Sequence, residues 1–297
     1  MTTTSTPSDT AGPAPDRPVL VLGGTGKTGR RVAAALRAAG AAVAIGSRSG
    51  TPPFDWTDES TWPAVLAGAG SAYVAYSPDA GFPGAAEVIG RFAHRAADSG
   101  VGRLVLLAGR NEEGALRSEE AMRAAGVPWT VVRAAFFAQN FSEDFMVEQV
   151  RAGELAMPAA DVPEPFVDAQ DVADVAAAAL LEEGHTGRVY EVTGPRLLTF
   201  TQALAEISAV TGRPVAYRAL DPQEYVAAMV AGGAPEELAR PLTGVFTEIL
   251  DGRNAHLGGG VREALGREPR DFADYAARAA AAGAWASAGE PAEAGRG

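Results

Sequence analysis

The chain contains no cysteine and one lysine, Lys27. The first absence excludes disulfides, thiolate metal centres and thiol nucleophiles. The second excludes the tyrosine-lysine pair that protonates carbonyls in many reductases. None of Tyr73, Tyr76, Tyr190, Tyr217, Tyr225 and Tyr275 stands four residues before a lysine. Histidine is scarce too: His94, His185 and His256 have no ligand-like spacing, so no metal is expected. Basic residues number 25 against 37 acidic ones, a formal net charge of −12 that argues against nucleic acid as a partner. No uncharged apolar run approaches the ~20 residues that a membrane span requires, and the alanine-rich stretches near 172–181 and 276–285 are interrupted or flanked by charge. Residues 1–17 lack the basic and apolar parts of a secretory leader and read as a disordered tail, as does 287–297. The expectation is a cytoplasmic monomer or homodimer that acts on a small molecule.

What is present has ordinary globular proportions, 47% hydrophobic and 21% charged over 297 residues, enough to bury a large core. From Pro18 onward short apolar runs alternate with amphipathic stretches. PVLVL is followed by a helix from Lys27 to Ala39 and then AAVAIG; a short strand is expected near Phe54 and a helix over 59–66. SAYVAY (71–76), RLVLLA (103–108) and WTVVRA (129–134) continue the series, separated by helices near 85–99 and 115–125. A helix to about Arg151, a proline-bearing loop (158–166), a helix from Asp171 and the strand RVYEVTG (188–194) follow. Repeated strand-helix units with apolar strands predict an α/β fold: a doubly wound, mostly parallel Rossmann sheet with a smaller, mainly helical C-terminal substrate region. The expected division is 18–195 for the sheet domain, with 155–170 contributing in part to the substrate region, and 196–286 for the rest, where VAYRAL (215–220) is the one strand candidate.

GGTGKTG, residues 23–29, follows an apolar strand and opens a helix, the context that gives a glycine fingerprint meaning. Gly24, Gly26 and Gly29 satisfy G-x-G-x-x-G; Gly23, Gly26 and Gly29 satisfy a G-x-x-G-x-x-G variant. Either way the string predicts a tight turn, close approach of a pyrophosphate to the backbone around Gly23, Thr25, Gly26, Lys27, Thr28 and Gly29, and a phosphate seated on the helix N-terminus. A nucleotide-hydrolase P-loop is excluded, because position 21 is valine where that motif needs glycine. At the end of the second strand, Ser47-Arg48-Ser49 offers a cation between two hydroxyls and no carboxylate. That favours the 2′-phosphate of NADPH (NADP+) over NADH.

At this point the chain resembles the NmrA-like branch of the atypical short-chain dehydrogenase/reductases, specifically the clavine-reductase (agroclavine dehydrogenase-like) type. The residues that carry the resemblance are GGTGKTG, SRS at 47–49, FDWTDESTW at 54–62, SEEAMRAAGVPWTVVRAAFFAQNF at 118–141 and PFVDAQDVADV at 165–175. The family pattern R-P-x-x-F-x-x-N is met by Arg133, Phe137 and Asn140, with Ala134 in place of the proline. The resemblance implies that Asp55 and Trp56 lie beside the adenine, that Tyr76, Ser77, Ala108 and Gly109 line the cofactor, and that Phe136, Phe137 and Asn140 border the substrate. Asp168, Asp171 and Asp174 read as helix-start residues, Asp171 as a cap or first-turn residue, rather than as a metal or acid/base cluster.

Two readings of function remain. In one, the chain is an NADPH-dependent reductase whose acceptor is already electrophilic (an iminium, a quinone or a conjugated carbonyl), so that Tyr76 and Asn140 at most orient it or relay a proton. In the other, it binds NADP(H) without turnover and acts through a protein partner.

Overall fold

A computed structural model describes residues 17–286. Both expected tails, apart from Arg17, lie outside the described residues. The chain begins with strand β1 (Val19–Leu22), helix α1 (Gly29–Ala38), β2 (Val43–Gly46), α2 (Trp62–Leu66), β3 (Ser71–Val74), α3 (Ala85–Asp98), β4 (Leu104–Gly109), α4 (Glu113–Arg123) and β5 (Trp129–Ala134). It continues through α5 (Asn140–Glu143), α6 (Val147–Ala152), β6 (Glu154–Met157), α7 (Ala169–Leu181) and β7 (Arg188–Val192). The last part comprises α8 (Phe200–Thr211), β8 (Ala216–Ala219), α9 (Pro222–Ala231), α10 (Glu236–Ile249), α11 (Gly260–Leu265) and α12 (Phe272–Ala281).

Six strands form one parallel sheet in the order β2-β1-β3-β4-β5-β7. Helices cover both faces, so the inner strands read as unbroken apolar runs; every residue of β1 and of β3 is buried. On one face Trp62, Phe92, Leu104 and Leu106 join α2, α3 and α4 to the sheet. On the other, Val32, Leu36, Val132, Val172 and Leu180 join α1 and α7 to it, and α11 returns there through Val261. A third core, built on Phe136, Phe141, Phe166, Phe200 and Phe272, holds the C-terminal helices against the loops after β5. Helix α8 starts where it does because Thr199 and Gln202 exchange side-chain and backbone hydrogen bonds in a capping box.

The structure departs from expectation in five places. No strand forms near Phe54: the segment makes a turn closed by an Asp55–Asp58 bridge, in which the Asp55 carboxylate accepts from the Thr57 amide and hydroxyl. Local Asp-to-backbone bonds compete with sheet pairing, and Phe54 and Trp56 reach the core from the turn. Helix α1 begins at Gly29 rather than Lys27, with Thr28 in the cap position. The expected helix to Arg151 is the two short helices α5 and α6. Helix α7 begins at Ala169, its cap being Asp168, which accepts from the Gln170 amide; Asp171 lies in the first turn. Strand β6, absent from the sequence reading, pairs in parallel with β8, so the C-terminal region carries its own small sheet.

Because β2 lies on one side of β1 and β3 on the other, the chain reverses direction between β1 and β3. In open parallel sheets this switch point opens a crevice at the carboxyl ends of the strands.

Candidate dinucleotide site

Parallel strands deliver all their carboxyl ends to one edge, and the predicted cofactor residues follow β1, β2, β3 and β4 there. The glycine turn is built from backbone. Gly23 adopts φ 63°, and its amide donates to Gly46 O at 3.1 Å, tying the turn to the end of β2. The Gly26 amide donates to Gly23 O at 2.8 Å, and the helical ladder opens with Arg30 N–H on Gly26 O at 3.1 Å. The first-turn amides before Arg30 are therefore the donors a helix start leaves for an anion. A Cβ on Gly29 would lie 2.2 Å from Gly23 O, so only glycine lets the helix start pack on the turn. A Cβ on Gly26 would meet only Gly23 O, at 3.2 Å, and Gly26 is exposed.

At the end of β2, Ser47 O accepts from the amides of Gly50 and Phe54 and curls the segment. Arg48 is exposed there, and among the described residues its side chain takes part in no hydrogen bond or ion pair. The Asp55 carboxyl is held below the usual range chiefly by its Thr57 hydrogen bonds, with the Arg48 charge adding to them. Trp56 is almost wholly buried, its indole N–H on Ala75 O at 3.3 Å and its ring 5.0 Å from that of Tyr76. Asp55 is engaged in its own turn and Trp56 packs into the core, while Tyr76 and Ser77 follow the end of β3. Burial pushes the Tyr76 hydroxyl up. Ala108 and Gly109 close β4.

Beyond β5 the backbone of 136–138 pairs with Val167. Phe136 packs into the third core, its ring 5.6 Å from Phe200 and 6.0 Å from Phe166. Phe137 is half-buried beneath the Lys27 ammonium, which lies 5.7 Å from its ring centre. Lys27 also donates to Asn140 Oδ1, 113 residues away, and to Asp144 Oδ2 at 3.0 Å. Arg30 and Arg31 pair with Glu143. Burial lowers the Lys27 pKa, an effect that Asp144 and Glu143 oppose. The structure therefore joins two predicted residues, Lys27 and Asn140, directly, and adds beside them carboxylates at 143 and 144 that sequence reasoning missed.

The other motif residues have structural partners. Arg133 grips the buried Glu119 with two hydrogen bonds of 2.7 and 2.8 Å, pinning α4 to β5. Asp171 and Asp174 pair with Arg267 and Arg270, and Asp168 with Arg278. Sequence reasoning also missed three carboxyls, of which Glu112 and Glu164 are buried and Asp79 is half-buried. Glu164, in the loop before α7, is pushed up to about 8 by burial against the opposing pull of Arg110. Asp79 and Glu112 occupy the loops after β3 and β4. No single-sequence signal marks them, since each sits in a polar loop and is covered only by tertiary packing.

A doubly wound parallel sheet whose first turn is a glycine cradle on a helix N-terminus defines a Rossmann-type dinucleotide-binding protein. The NmrA-like family model matches residues 116–275, and the chain belongs to that family. It is 31% identical to an NAD(P)H azoreductase of Xenophilus azovorans, over 90% of this chain and 99% of that one. It is 30% identical to the agroclavine dehydrogenase of Claviceps fusiformis, over 86% and 95% respectively. Its fold matches that of a triphenylmethane reductase of Citrobacter sp., solved with NADP(H), with a TM-score of 0.71 at 20% identity, covering 88% of this chain and 99% of that one. Among the described residues no helix is long and apolar enough to cross a membrane.

Proposed function

We propose that the protein is an NADPH-dependent reductase that passes hydride to an activated small-molecule acceptor: an iminium, a quinone or a conjugated carbonyl. The observation that carries this reading is the glycine cradle at the start of α1 beside an exposed Arg48. The cradle at Gly26 and Gly29 and the exposed cation fit a dinucleotide with a 2′-phosphate, and Asp55, the nearby carboxylate, is already engaged by Thr57. The azoreductase and clavine dehydrogenase relatives support the reductase class.

In this reading the amides of Lys27, Thr28 and Gly29 hold the pyrophosphate, and Ser47, Arg48 and Ser49 hold the 2′-phosphate. Tyr76, Ser77, Ala108 and Gly109 line the ribose and ring. Phe136, Phe137 and Asn140 border the acceptor, with Asn140 positioned by Lys27. The bound nicotinamide supplies the hydride; the chain supplies orientation and a water-poor aromatic wall. No Tyr-x-x-x-Lys pair takes part.

The test is loss of NADPH absorbance with purified protein against quinones, imines and enals. NADPH binding with no turnover across that panel would favour a regulatory binding protein instead. Two variants refine it. Arg48→Ala is expected to weaken NADPH binding by roughly 1.5–3 kcal/mol, the worth of a hydrogen bond to a charged group, and NADH far less. Equal losses for both cofactors in a titration would remove Arg48 from the phosphate site. Tyr76→Phe is expected to retain most of kcat, whereas losing a general acid costs ~10²–10⁴ in rate.

A further inference from the structure

Two of the acceptor classes above, quinones and conjugated carbonyls, need a proton as well as a hydride, and the structure has a carboxyl pair suited to supply it. Glu112 is 2% exposed and is the cap residue of α4, yet its side chain makes no capping bond. It is folded instead into space that two glycines leave empty. A Cβ on Gly109 would lie 2.1 Å from its Oε2, and one on Gly81 would lie 1.5 Å from its Oε1. The carboxyl therefore takes the volume that a side chain at the end of β4 would fill, between the two loops expected to line the cofactor.

Among the described residues no donor reaches Glu112 Oε1. What the carboxyl meets is that of Asp79, whose Oδ1 already accepts from the Gly81 amide at 2.8 Å. Two carboxylates in contact do not both stay ionised at neutral pH, and a shared proton turns a repulsive contact into a hydrogen bond. The other charge that bears on Glu112 comes from Glu248 of α10, which accepts from the Glu113 amide and pairs with Arg253. Burial first, then Asp79 and Glu248, push the Glu112 carboxyl up to about 9, so it is an acid at neutral pH.

We propose that Glu112, held protonated against Asp79, is the proton donor for acceptors bound at the end of β4. This rests on the reductase reading. As hydride from the reduced nicotinamide reaches the acceptor, the Glu112 O–H bond breaks, directly or across one water. Its electron pair stays on the carboxylate and the proton goes to the acceptor oxygen. The pair, now doubly ionised, regains one proton from solvent on the partly exposed side of Asp79.

Two measurements test the proposal. The first needs no cofactor. Relative to an unfolded glutamate, Glu112 holds its proton in the native state, so wild-type stability should fall as pH rises from about 4.5 towards 9. Glu112→Gln should make that slope shallower, leaving the part that Glu164 contributes up to about pH 8, and Asp79→Asn should end the Glu112 part at lower pH; the infrared absorption of a protonated buried carboxyl that persists above about pH 8 should disappear in Glu112→Gln. The second compares a small para-benzoquinone with an N-methylated cyclic iminium, which takes hydride alone. Glu112→Gln should lower the quinone-to-iminium rate ratio by about 10²-fold or more, the scale of a lost general acid. Asp79→Asn should move the alkaline limb of quinone reduction to lower pH.

A pH-stability slope identical in wild type and Glu112→Gln, or an unchanged rate ratio, overturns the proposal while leaving the reductase reading intact. A wild-type protein that shows the carboxyl titration yet reduces neither acceptor overturns the reductase reading and the donor role together.

Discussion

Gly26→Val is expected to abolish dinucleotide binding in a folded protein, whereas Gly29→Val is expected to damage the fold itself. The difference follows from where each new side chain would go. At Gly26 the Cβ approaches one backbone oxygen, Gly23 O, at 3.2 Å, and φ lies outside the left-handed region, so the loop accommodates valine with a small shift. The valine methyls then occupy the crevice, where a pyrophosphate needs bare backbone. A loss of at least about 10²-fold in NADPH affinity corresponds to roughly 2.7 kcal/mol. At Gly29 the Cβ would sit 2.2 Å from Gly23 O and 2.8 Å from Gly24 Cα, backbone that no rotamer change can move. Calorimetric titration and thermal melts of both variants check this. A Gly26→Val protein that binds NADPH normally would move the phosphate site elsewhere.

The second large effect is expected at Phe166. Its ring is 5.1 Å from Phe200, 5.4 Å from Phe141, 5.6 Å from Phe272 and 6.0 Å from Phe136. Removing a buried phenylalanine costs about 3–5 kcal/mol through lost transfer energy and the cavity left behind. For a chain of this size that lowers Tm by roughly 6–20 °C. Phe136 rests on Phe166, so Phe166→Ala should also raise KM for the acceptor while the NADPH Kd stays within a few-fold of wild type. Phe166→Leu, which refills most of the volume, should recover the larger part of both losses. Equal damage to the two binding constants would mean that the third core supports the whole sheet rather than the acceptor wall.

Much of the sheet could be read from sequence because its strands are buried on both faces, as in VLVL of β1 and SAYV of β3. The glycine turn was legible for the same local reason: a strand before it and an amphipathic helix after it. Strand β6 was not. Its four residues, ELAM, carry no turn signal or periodicity of their own, and the strand exists because β8 lies alongside. Phe54 misled in the opposite sense, since an aromatic apolar segment between loops looks like a strand whether its rings are presented by a strand or by a turn. The link from Lys27 to Asn140 and the Asp79–Glu112 contact join residues far apart in the chain. Periodicity reports which way a residue faces, and it carries no information about which distant loop it meets.

Lys27 has a practical consequence. Its side chain is 14% exposed, burial makes its ammonium easier to deprotonate, and the sequence holds no second lysine. An amine-acylating reagent thus finds a single side-chain target in this sequence, and that target stands on the glycine loop. Mass spectrometry of the peptide containing residue 27 would count protected and reactive loops directly. The molecule carries its own footprinting label for the state of its nucleotide cleft, with no engineered tag.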